Sequence, residues 1–343
     1  MLEDAVPLQR PMPLPEARGP VSDAALGALR GTPGPLAEVV RDGLAGSNGI
    51  LDDEDLQLAL FLLYEQHYGG LAGVDERLEW DVALLAARAE IETAFEAALR
   101  AAVPMPERPE PTAAAVAAAL FALTGRDDGP SLSRYVAKTA TLQQLREFLV
   151  QRSLYTLKEA DPHSWAIPRL SATAKAALVE IQADEYGGGR PQRMHSAIFA
   201  GTMRAVGLDD AYGAYLDAIP GTTLATVNLM SLLGLHRRLR GGIVGHLAVF
   251  EITSPEPNRR YGNGLRRLGF DRAATEFFDE HVEADAVHEA VAAHDLAQGL
   301  AVAEPELVPD ILFGAAALLH LEARFAAHML DRWAAGSSSL RPC

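Results

Sequence analysis

Apolar residues recur at three- and four-residue steps through six long stretches of the chain, at about 138–160, 171–186, 192–206, 223–251, 271–297 and 307–334. Such spacing lines one face of an α-helix, whereas the two-residue alternation of a half-buried strand is nearly absent. A chain of this kind can hide its apolar faces only by packing helix on helix, so the expected fold class is all-α and the architecture a helical bundle. Alanine and leucine dominate these stretches and aromatics supply only 6% of the residues, so small and branched side chains must knit the faces together. No internal repeat of fixed period is present.

Residues 1–45 carry Pro7, Pro11, Pro13, Pro15, Pro20, Pro33 and Pro35 with several glycines, a composition that favours extended backbone and predicts an arm or linker. Residues 46–130 read as a helical accessory region. LQLALFLLYEQHY and EWDVALLAARAEIETAFEAALRAAV have helical apolar steps, VPMPERPEPT interrupts them, and the Ala-rich TAAAVAAALFALTG ends at Gly125. Its apolar faces need a surface to bury against, either a second copy in a homodimer or the core itself. DDGPSLSRY marks the boundary to a core of residues 131–335, and the small polar tail 336–343, GSSSLRPC, is expected to fray.

With 46 acidic and 30 basic side chains the formal charge is −16, which repels phosphate backbones and anionic lipid and so speaks against nucleic acid or a membrane as partner. The single cysteine, Cys343, allows neither an intrachain disulfide nor a thiolate metal cluster. The first residues lack the basic and apolar succession of a signal peptide, and no run of about 18 apolar residues occurs. The expected localisation is cytoplasmic.

The strongest chemical signal is His281, Asp285 and His288 in EFFDEHVEADAVHEAVAAHDL. Steps of four and three residues put all three on one helix face, within an arc of about 60°, where two imidazoles and a carboxylate can converge on a metal. An exposed acidic helix that happens to hold histidines would read the same. A second piece is Glu185 and His195 in VEIQADEYGGGRPQRMHSAIF, ten positions apart. A straight helix would separate them by about 15 Å, too far to share an ion. Gly187, Gly188, Gly189 and Pro191 could break the helix and bring them together, or could simply join two unrelated helices. The third piece is Glu251, at the end of the apolar GGIVGHLAVF. A buried carboxylate there costs several kcal/mol unless a cation or hydrogen bonds compensate it, while one at a helix end can reach solvent. His246 lies off the face of Glu251 and reads as a core histidine.

Glu185, His195, Glu251, His281, Asp285 and His288 together supply three carboxylates and three imidazoles from separate helices. Hard oxygen and borderline nitrogen ligands without sulfur suit iron or manganese better than structural zinc. In this order and on these helices the residues resemble those of the haem-oxygenase-like diiron oxidases and oxygenases, over about residues 138–334. LYTLKEADPHSWAIPRL followed by ADEYGGGRPQRMH is similar to the branch called iron-containing redox enzymes. The resemblance implies a haem-oxygenase-like bundle, two Fe(II) ions, O₂ as cosubstrate and an external reductant. It also points to Glu159, which stands where some nitrogen-oxygenating members carry one further carboxylate ligand. A solvent-facing Glu before Asp161-Pro162 is the other reading of that residue.

The resemblance implies either oxygenation of an amine nitrogen or abstraction of hydrogen. Glu159 and the pair Arg259 and Arg260 favour N-oxygenation of an amino-acid-like or amine substrate, with a desaturase or a carbon–carbon bond-cleaving oxidase on an amino or fatty acid as the alternative. A non-catalytic helical scaffold is the alternative of another class. GGIVGHLAVF could line an apolar part of the cavity, and Arg259, Arg260 and Tyr261 in the expected loop PNRRYGNG could fix a substrate carboxylate. His67, His163 and His236 are expected at the surface.

Overall fold

The computed structural model describes residues 11–32, 34–110, 112–125 and 131–342 and, of these, the side chains of all but 113 and 283–287. In chain order the helices are α1 (Pro20–Leu29), α2 (Leu36–Gly46), α3 (Glu54–Glu65), α4 (Val82–Ala102), α5 (Ala113–Thr124), α6 (Leu132–Lys138), α7 (Leu142–Thr156), α8 (Asp161–Ser164), α9 (Ala172–Glu185), α10 (His195–Ala205), α11 (Gly221–Leu235), α12 (Arg240–Thr253), α13 (Pro255–Arg267), α14 (Arg272–Ala290), α15 (Gln298–Ala303) and α16 (Val308–Ala334). Among the described residues there is no strand, only an isolated bridge between Met12 and Leu71. None of these helices is long and apolar enough to cross a membrane.

The chain forms two compact units. One comprises the described residues up to Ala102, Ala211–Leu229 and the chain from Leu340 onward; the other comprises Val103–Asp210 and Met230–Ser339.

In the first unit, the segment expected as an arm holds α1 and α2. Pro20 opens α1, where the missing N–H costs nothing and the fixed φ suits a helix. Asp55 of α3 accepts hydrogen bonds from the backbone of Val21 at 2.8 Å and Ser22 at 2.7 Å, which anchors α1. The prolines therefore punctuate helices as well as loops. Residues 1–10 and 33 lie outside the described residues.

The second unit begins earlier than position 131: α5 packs on α15 and α16 and so belongs to the bundle. The expected helix over 223–251 is two helices, α11 and α12, parted by a tight turn at Arg237–Leu239. Helices α12 and α16 approach very closely. A Cβ on Gly245 would lie 1.8 Å from the Ile311 carbonyl oxygen, and one on Gly314 would lie 1.9 Å from that of Gly242. The glycines of GGIVGHLAVF thus serve backbone contact rather than a cavity wall. Helix α14 packs on α10 and α13, and a π-helical segment, Val291–Ala297, continues it.

Ser338 and Ser339, in the segment expected to fray, are hydrogen-bonded to α7. Glu147 of α7 accepts hydrogen bonds from Trp333 Nε1 at 2.8 Å, the Ser338 hydroxyl at 2.9 Å, and both the amide and the hydroxyl of Ser339 at 2.8 Å.

Candidate metal centre

Glu159 sits in the turn between α7 and α8, and the next residue, Ala160, has φ 78°, a left-handed value rare for a side chain with a Cβ. Glu185 ends α9. The three glycines that follow all have positive φ, at 69°, 59° and 77°, and a Cβ on Gly187 would lie 2.5 Å from the backbone carbon of Arg193. The chain therefore doubles back tightly, and α10 starts at His195. Ten residues that would separate the two side chains along one helix instead leave His195 Nδ1 2.8 Å from Glu185 Oε2.

Glu251 projects from α12, and His281 and His288 from α14. His281 Nε2 is 3.7 Å from Glu159 Oε2, and His288 Nδ1 is 3.6 Å from Glu251 Oε2 and 3.9 Å from Glu185 Oε1. All six side chains are buried. They make two overlapping groups: Glu159, Glu185, His195 and His281 in one, and Glu185, Glu251 and His288 in the other. Within each, one ligand-type atom per residue lies within 4.8 Å of the rest. The side chain of Asp285 lies outside the described residues.

Hydrogen bonds set the tautomers. His281 Nδ1 lies 2.8 Å from the Phe277 carbonyl, and His288 Nε2 lies 3.1 Å from Asp184 Oδ2. Only an N–H can serve such acceptors, so His281 turns a lone pair inward at Nε2 and His288 at Nδ1. Asp184 borders this candidate centre and was passed over by the motif reading; its position one residue from Glu185 was the available signal. Glu159 Oε2 is buried without a hydrogen-bond partner, and Glu185 Oε2, His195 Nδ1 and His288 Nδ1 are buried with only one another or Glu251 to face. Carboxylate oxygens and imidazole nitrogens turned on one another at two points fit divalent cations.

Burial opposes the charge on Glu185, yet His195, His281 and His288 hold its carboxyl below the usual range. His195 is raised for the reciprocal reason: Glu185 outweighs its burial. Burial likewise lowers His288, but Glu251, with Asp184 and Glu185, pushes it up to about 9. The centre is a compact set of opposed charges.

Beside the two groups is a cavity whose further walls are Tyr155, Ala160, His163, Gln182, Leu247, Phe250 and Ser254. His163, expected at the surface, is buried, with Nε2 3.1 Å from Nδ1 of His246, and burial lowers it to about 4. Its place four residues after Glu159 was the sequence clue. His246 is buried as expected. His67 is also buried, 3.1 Å from Glu79, and His236 is half-buried.

Arg259, Arg260 and Tyr261 are not brought to the cavity. PNRRYGNG forms part of α13, started by Pro255, rather than a loop. Both arginines pair with Glu256, at 2.7 and 2.8 Å, and the Tyr261 ring packs tilted against Phe148, ring centres 4.4 Å apart.

A helical bundle with two overlapping clusters of buried carboxylates and imidazoles defines an all-α, haem-oxygenase-like protein with the ligand chemistry of a metal enzyme. The family of iron-containing redox enzymes matches residues 146–323, a span that contains Glu159, Glu185, His195, Glu251, His281 and His288, and the chain belongs to that family. It is also 27% identical over 191 residues to a nitrosourea synthase of Streptomyces achromogenes subsp. streptozoticus. That similarity covers 55% of this chain and 41% of the relative, so the chain spans less than half of the relative's length.

Proposed function

We propose that this chain is a non-haem diiron enzyme that uses O₂, and that it oxygenates nitrogen in an amine-type small molecule. The observation that carries the diiron reading is Glu185, one buried carboxylate common to both groups. In this reading Glu159, His195 and His281 complete one ligand set and Glu251 and His288 the other, with Asp285 an expected further ligand of the centre. Carboxylates and histidines projected from facing helices are how bundles hold paired irons. Two Fe(II) ions would supply the electrons for O₂, and an external reductant would restore them.

The chain's own residues hold the ligands in register, exclude water and orient the substrate. Leu247 and Phe250 give the cavity an apolar wall, while Tyr155, Gln182, Ser254 and the neutral His163 offer hydrogen bonds. Among the described residues neither lysine nor arginine lines the cavity, so no side-chain cation is there to pair with a substrate carboxylate. The glutamates in its wall are the proposed ligands, with their charge met by the two ions, so a neutral or amine-type substrate suits this lining better than an anionic one. A nitrosourea, the product class in the relative's name, contains oxidised nitrogen, which supports the same choice. The apolar wall favours a second reading, desaturation or carbon–carbon cleavage of an aliphatic chain.

The test is anaerobic Fe(II) loading, metal counting and a rapid O₂ mix of wild type, His288→Ala and Glu251→Ala. About two irons in wild type, with a transient absorption lost in both variants, is the expected result. Product analysis with amines then separates N-oxygenation from desaturation or cleavage. A protein that binds no iron would instead be a helical scaffold.

A further inference from the structure

His288 is gripped from both sides of its ring. Nδ1 faces Glu251 and Glu185, at 3.6 and 3.9 Å, while Nε2 meets Asp184 Oδ2 at 3.1 Å. The ring is buried, with its side chain 2% exposed, whereas the Asp184 side chain is 64% exposed. A carboxylate at the surface therefore reaches in to hold the outer edge of a buried imidazole. His281 is oriented differently, by the Phe277 carbonyl four residues earlier in the same helix. That acceptor is backbone, made by α14 itself. The orientation of His288 instead depends on a side chain from another helix, α9, one residue before Glu185.

On the metal reading proposed above, we propose that Asp184 is a positioning residue for the group Glu185, Glu251 and His288, and that it sets how tightly that group keeps its metal ion. A carboxylate that accepts the far N–H of a metal-binding imidazole fixes the ring and its tautomer and makes the other nitrogen a better donor. Losing such a partner typically weakens metal binding about 10- to 100-fold. The group built on Glu159, His195 and His281 does not use Asp184, so the effect is confined to one of the two ions.

The experiment titrates Fe(II) alone, anaerobically, into the metal-free full chain, with heats of binding for affinity and Mössbauer spectra to distinguish the two ions. Wild type is expected to take two equivalents. Asp184→Ala should leave the first unchanged and weaken the second about 10- to 100-fold. Asp184→Asn, whose amide oxygen still accepts from Nε2–H, should fall between, and that partial rescue is not expected of a residue that merely supports the fold. Asp184→Ala leaves the buried Nε2–H of His288 without its acceptor, so the thermal midpoint of the metal-free protein should fall modestly, and Asp184→Asn, which keeps an acceptor, should lie nearer wild type. A second equivalent bound as tightly by Asp184→Ala as by wild type, or equal weakening of both, overturns the role of Asp184. Should the alanine variant not fold, Asp184→Asn decides, by whether its second equivalent alone is weakened. A wild type that binds no iron overturns the diiron reading itself.

Discussion

Gln182 Nε2 donates to the carbonyl of Ala160 at 2.7 Å, tying α9 to the turn that follows Glu159. The same nitrogen meets the Ser164 hydroxyl at 2.7 Å, and Tyr186, the residue that follows the helix, donates to Asp161 at 2.8 Å. A left-handed alanine costs about 1–2 kcal/mol and persists only where its surroundings over-determine it. Glu159 and Glu185 are thus held to each other by helix α9 before any ion is considered. Gln182→Leu should remove this donor and leave the Ala160 carbonyl only the Ser164 amide, destabilising the protein by about 1 kcal/mol, measured by urea unfolding. A midpoint equal to that of wild type would show that the turn holds itself.

The glycines after Glu185 should not be equivalent. Gly188→Ala meets nothing within 4 Å and carries only the positive-φ penalty, about 1 kcal/mol. Gly187→Ala adds a backbone collision, so it should be the worse by several kcal/mol and should part His195 from Glu185. Paired denaturation curves and Fe(II) titrations check both; equal effects would refute the tight return.

Stability of the metal-free protein should depend on pH through His288. Its folded value, about 9, lies above the ordinary 6.5, so its contribution is complete below about pH 6.5 and is lost as pH rises through about 9. Glu251→Gln removes a main cause of the rise and should flatten that loss. Iron must displace the same proton, so Fe(II) affinity should increase over this window. Unfolding midpoints and titrations from about pH 6 to pH 9 measure both trends, and a flat wild-type profile would contradict them.

Glu147 is the counterpart at acid pH. Burial opposes its ionisation, but the hydrogen bonds from Trp333, Ser339 and Ser338 outweigh that and hold it below the ordinary carboxyl range. Its contribution is therefore present above about pH 4.5 and lost as pH falls. Glu147→Leu would orphan the Trp333 and Ser339 donors and should cost about 3 kcal/mol at neutral pH. Unfolding at pH 7 and in acid should show the difference shrinking as the wild-type carboxylate is protonated.

The helices, the break at Gly187–Gly189 and the residue types of the site were all legible in the sequence. Each is a short-range matter: a helix repeats every 3.6 residues, so His281 and His288 share a face of α14 wherever that helix packs. Proline and glycine were less legible, because they start helices as readily as they break them; α1 and α13, both opened by proline, fell in segments expected to be an arm and a loop. What only the tertiary structure decided is convergence. That Glu185 belongs to both groups, that Asp184 reaches His288, and that His163 is buried against His246 all depend on how separate helices or turns are brought together. Backbone hydrogen bonds four residues apart write the local pattern, but the placement of one helix against another is set by close contacts such as Gly245 on Ile311, between residues far apart in the chain.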